Sequence, residues 1–130
     1  MTFRATLIIA ALAGLIAVIA GTFGAHGLAD RVDDHLLEVF QTGNRYHAYH
    51  ALALLGLAGH VERLGRTGTI TVCCFAVGTF VFSGTLYLLA ITGQRWLGAI
   101  TPLGGITLIA GWISLGLGAW RSIPTASQSR

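Results

Sequence analysis

Lysine is missing altogether: the eight cationic side chains of this 130-residue chain are all arginine, and only five carboxylates accompany them. Charge is so sparse that four stretches carry none, residues 5–29, 46–61, 67–94 and 96–120. A nucleic-acid face needs a clustered basic stripe, and Arg63/Arg66 is the densest pair, so nucleic acid is excluded as a partner. No carboxylate falls inside a charge-free stretch. That leaves no Ser/His/Asp arrangement, and it removes the embedded acid that small proton-coupled exporters use to exchange protons for cations. Cysteine is scarce as well. Cys73 and Cys74 are adjacent, without the C-x-x-C metal spacing or the geometry for an easy disulfide, and they read as small apolar packing residues.

What is present is apolar. Such residues make up 54% of the chain, charged ones 10%, and the mean hydropathy is +0.72. A soluble domain of this length exposes too much surface to hide that composition. A bilayer's hydrocarbon core is about 30 Å thick and takes roughly 20 helical residues, so three of the four stretches are long enough to cross it. The fourth, 46–61, gives only about 24 Å, so it has to start near Arg45, with that side chain snorkelling or the bilayer thinning there.

The expected fold is an all-α membrane protein: a bundle of four transmembrane helices spanning about 5–25, 45–62, 70–91 and 101–120, in one domain over 1–130. Leu36, Leu37 and Phe40 form a short apolar face within the acidic 30–45 segment, which predicts a short interfacial helix between helices 1 and 2. The N-terminal Met-Thr-Phe-Arg and apolar run imitate a signal peptide. The run continues uncharged to Ala29 without a clean cleavage site, so it reads as a retained first helix. Pro102 suits the first turn of the last helix, Trp120-Arg121 suits its interfacial end, and residues 122–130 are expected to form a disordered tail.

Four spans put both termini on one side. Arg4, Arg63, Arg66, Arg121 and Arg130 then stand against Arg31, Arg45 and Arg95, which places the termini in the cytoplasm. Helices in lipid associate through small residues, and two stripes of them recur every fourth position: Ala13, Ala17, Gly21 and Ala25, then Ala110, Ser114 and Gly118.

That orientation gathers the polar groups in the outer half of the bundle. His47 and His50 are three apart and share a helix face, Tyr46 and Tyr49 share the next one, and His26 can reach them from the first helix. Intramembrane histidine marks a functional site by default, so the ligand-binding candidates are His26, His47, His50, Tyr46, Ser83 and Tyr87. Two readings compete. The imidazoles hold a metal, a haem or a proton-linked quinone, or they are neutral packing elements bonded to backbone carbonyls or to Tyr87. The second is preferred, with no catalytic residue, metal ligand or cofactor assigned. His35 and His60 are read as loop or interface residues.

Gly21-Thr22-Phe23-Gly24-Ala25-His26-Gly27-Leu28, Tyr46-His47-Ala48-Tyr49-His50-Ala51-Leu52, Phe82-Ser83-Gly84-Thr85-Leu86-Tyr87 and Thr101-Pro102-Leu103-Gly104-Gly105 with Gly111-Trp112 resemble the domain of unknown function 423 family. These are small bacterial inner-membrane proteins with a eukaryotic relative, transmembrane protein 256. Thr22 stands where that family usually has alanine. Members often keep only the later histidine of the second motif, so the resemblance favours His26 and His50 over His47. It implies fold and location and brings no activity. The expected function is a non-enzymatic scaffold or accessory component of the bacterial inner membrane. Its partners are the lipid bilayer and either a second copy or a larger membrane protein. The rival is a ligand, metal, haem or quinone site in the outer half, and a small transporter ranks below both.

Overall fold

A computed structural model describes residues 1–122, which form helices joined by short turns with no strand among them. The elements are α1 (Phe3–Phe23), running on into a π-helical segment (Gly24–Leu28), then α2 (Asp34–Ala58), α3 (Val61–Thr92) and α4 (Leu97–Ser122). Three of the helices, Phe3–Leu28, Val61–Thr92 and Leu97–Ser122, are long and apolar enough to cross a membrane. They are the three that the long charge-free stretches predict.

Helix ends follow local chemistry. The Thr2 hydroxyl accepts from the Ala5 amide at 3.2 Å, and Glu62 Oε1 accepts from the Phe3 amide at 3.0 Å, so two side chains satisfy the first turn of α1. Asp33 caps α2 through Leu36 N at 2.8 Å. Gly93, in the left-handed region at φ 68°, ends α3 by donating its N–H to Leu89 O at 2.8 Å. Inside α3, Gly65 at φ 56° and ψ −123° breaks the helical path, which only glycine does without strain.

Packing follows chain order: α1 lies against α2, α2 against α3 and α3 against α4, with a smaller contact between α1 and α3. The core between them holds Ala10, Leu54, Leu57, Val61, Val72, Phe75 and Leu108. A second apolar cluster, Leu28, Phe40 and Ala90, closes the other end. The outward faces of α1 and α4 carry Ile8, Leu15, Val18, Ile19, Leu103, Ile106, Ile109 and Ile113, all exposed, a surface suited to lipid.

Two expectations are corrected. No separate short helix lies between α1 and the expected second span: residues 34–58 are one unbroken 25-residue helix. The segment contains no proline, and Gly43, which could have ended a helix, is instead a contact point against Leu86 and Tyr87. A helix of that length measures about 37 Å, so it need not begin at Arg45. The fourth helix starts at Leu97, before Thr101-Pro102, because the Leu97, Gly98 and Ala99 amides bond to Gln94, Arg95 and Trp96 carbonyls and nucleate it early. Pro102 then lies inside α4, where its missing N–H leaves one carbonyl of the opening turns without its helical donor. Of the expected tail, Ser122 is the last residue of α4 and the remainder lies outside the described residues.

Candidate functional site

The polar groups of the spans collect where α2 meets α3. Three residues apart on α2, His47 and His50 point into that contact and are 8% and 5% exposed, whereas Tyr46 and Tyr49 on the adjoining face are exposed. From α3, Tyr87 reaches across: its hydroxyl donates to Asn44 Oδ1 at 3.1 Å and lies 3.2 Å from His47 Nδ1. A phenol has one proton, so with that proton on Asn44 the imidazole donates and the chain runs from His47 to Tyr87 to Asn44.

His50 is held from two other directions. Its Nδ1 lies 2.8 Å from the Tyr46 carbonyl, and its Nε2 accepts from the Trp112 indole N–H of α4 at 3.2 Å. A carbonyl can only accept and an indole can only donate, so the tautomer is decided: the proton is on Nδ1 and the ring is neutral. Phe75 meets the imidazole edge-on at 5.2 Å between centroids and packs against Trp112 at 4.9 Å. Both nitrogens are therefore occupied, and a metal or haem iron could use this histidine only by displacing Trp112.

Ser83 lies fully buried one helical turn before Tyr87, and Thr79 another turn back. Neither hydroxyl has a partner among the described residues. The last polar link is buried too, Thr85 Oγ1 to Thr101 Oγ1 at 2.9 Å, and it ties α3 to α4. His26 does not join. It stands exposed on the π-helical segment, whose inner positions are Gly24 and Leu28. The extra residue in that wider turn shifts the helical phase, and the histidine faces outward. Among the described residues no three His, Cys, Asp or Glu side chains come close enough together to hold a metal ion.

The residues of the small-residue stripes take different positions. Ala17 and Gly21 pack on α2, where a Cβ at Gly21 would stand 2.9 Å from Asn44 Nδ2, but Ala25 is exposed. Ala13 is half-buried. On α4, Ser114 donates to Thr67 O at 3.2 Å and Gly118 is buried against Thr67, whereas Ala110 faces outward. The tight contacts of α4 are at Gly104 beneath Phe82 and Gly111 beneath Phe75, and Gly78 of α3 receives Leu108 in return.

Asn44, Phe75 and Thr79 were not singled out by the sequence. Thr85, Thr101 and Trp112 were, though only as parts of motifs. The signal available for Asn44 was its place three residues before His47, on the same face of α2.

The α2 and α3 side of these contacts lies within residues 20–105, which match the model of a family described as "Protein of unknown function (DUF423)", and Trp112 lies beyond that match. The chain is also similar to the UPF0382 membrane protein YwdK of Bacillus subtilis (strain 168), 43% identical over 111 residues, covering 84% of this chain and 90% of that protein. The UPF0382 inner membrane protein YgdD of Escherichia coli (strain K12) is 42% identical over 122 residues and 93% of each chain. A third relative, the UPF0382 membrane protein SAB0533 of Staphylococcus aureus (strain bovine RF122 / ET3-1), is 42% identical over 114 residues, 84% of this chain and 89% of its own. No solved structure matches the chain.

Proposed function

This chain belongs to the DUF423 family of membrane proteins, and from that premise we propose that it is a four-pass, non-enzymatic component of the bacterial inner membrane, a scaffold or accessory subunit with both termini in the cytoplasm. One observation carries the reading: the buried histidines of α2 are engaged by the chain's own groups, His50 through both ring nitrogens and His47 through Tyr87. Groups used in this way tie α2, α3 and α4 together. Their chemistry goes into holding helices in register, as interhelical hydrogen bonds do in lipid.

The four-pass reading is supported by the place of α2 in the packing. Although α2 is less apolar than the other three, α1 covers it on one side and α3 on another, so its polar face is turned from lipid. The carboxylates support the non-transport reading. Glu62 is taken up by the Phe3 amide, and Glu38 is exposed on the first turns of α2. Ser83 and Thr79, buried without partners among the described residues, favour the second reading, a ligand, metal or haem site beside the α2 histidines.

Purification in mild detergent, followed by an absorption spectrum and metal analysis of wild type and His50→Ala, distinguishes the two. The scaffold reading expects a colourless, metal-free protein whose variant loses thermal stability. A Soret band or stoichiometric metal that disappears in the variant would overturn it.

A further inference from the structure

Two cavities open on one face of the α1–α2 pair. The first, about 410 Å³, runs over Gly14, Val18 and Gly21 of α1 and Ala48 and Leu52 of α2. The second, about 270 Å³, lies above it at Ala25, Gln41 and Arg45. Gly21 and Asn44 line both, so the two adjoin along the same pair of helices. The helical repeat agrees: at 100° per residue, Gly14, Val18 and Gly21 of α1 fall within about 60° of one another, as do Gln41, Arg45, Ala48 and Leu52 of α2.

The result is one groove, apolar along most of its length and polar at a single end. From Gly14 to Ala25 it measures about 16 Å, close to half the hydrocarbon thickness of a bilayer. Arg45 is exposed at the polar end, where its guanidinium bonds a neutral group, Thr42 Oγ1, at 3.0 Å. Glu38, the carboxylate on that face of α2, is seven residues away, about 10 Å along the axis. The charge at the mouth is thus open to a counter-ion from outside the chain. Asn44 adds an amide: its Oδ1 is taken by Tyr87, and its Nδ2 lies beside Gly21 at the junction of the two cavities.

We propose that this groove binds one anionic membrane phospholipid, with the phosphate on Arg45 and Asn44 and an acyl chain laid along Gly14, Val18 and Ala48. Length, polarity and charge each match that occupant. The apolar part accepts one chain of one leaflet, and the cationic mouth supplies the charge-assisted hydrogen bonds that a phosphate takes. Open space lies over Gly14, where a Cβ would meet nothing within 4 Å, so a bulky side chain placed there would fill the apolar part.

Native mass spectrometry of the full chain in detergent tests this directly, using phosphatidylglycerol and phosphatidylcholine with identical acyl chains at equal concentration. Wild type is expected to retain one phosphatidylglycerol per chain in preference to phosphatidylcholine. Arg45→Gln should cut that preference about fivefold, the worth of one cationic side chain at an anionic surface. Gly14→Leu should reduce retention of both lipids while the melting temperature stays within a few degrees of wild type. Equal retention of the two lipids by wild type would overturn the proposal, as would full retention by Gly14→Leu. A dimer that Gly14→Leu dissociates would overturn it too, by making a second copy the occupant.

Discussion

His50 shows at the scale of one residue how an ionisable group becomes structural. Its ring donates within its own helix and accepts from another, so the imidazole fixes the rotation of α4 against α2. Trp112→Phe keeps an aromatic ring beside Phe75 but removes the indole donor together with part of the ring, leaving Nε2 unpaired; it should cost at least about 1 kcal/mol in thermal unfolding in detergent. Tyr87→Phe removes two hydrogen bonds at once, with His47 and with Asn44, and should cost at least as much. Unchanged melting in both variants would mean that these bonds do not hold the helices. The His47/His50 pair was legible in the sequence because spacing along one helix fixes which residues share a face. Asn44 and Trp112 were not legible as partners, since a partner on another helix depends on rotational register, which hydropathy leaves open.

Among the elements, α4 shows what sets that register. Gly104, Gly111 and Gly118 recur every seven residues, and the first two lie beneath Phe82 and Phe75, themselves seven apart. Seven residues bring a straight helix back to within about 20° of its starting direction, whereas four overshoot by about 40°. That drift separates the members of a stripe spaced by four: Ala110 faces outward, whereas Gly118 enters the seam with α3. A Cβ at Gly104 would collide with the backbone of Phe82, so Gly104→Ala should destabilise by about 1–3 kcal/mol, read as a fall in the detergent unfolding midpoint. Gly116, where a Cβ meets nothing within 4 Å, provides the control. Gly116→Ala should leave that midpoint unchanged or raise it, by up to about 1 kcal/mol of helix propensity.

For the whole molecule, absent charge announced the three apolar helices, and the motifs announced the family that residues 20–105 match. The second helix was misjudged because its first turns are polar and its length was counted from Arg45. Nothing in its composition said that the polar and apolar halves would form one continuous rod between α1 and α3. The central claim is that this rod, sheltered by its neighbours, crosses the membrane and makes the chain a four-pass bundle. Single cysteines at either end of α2 test it most directly: Asp30→Cys and Gly59→Cys, each in a Cys73→Ala/Cys74→Ala background, labelled in intact cells with a membrane-impermeant thiol reagent. Asp30→Cys should label at once, and Gly59→Cys only after the membrane is permeabilised. Labelling of both positions from the same side would contradict the account.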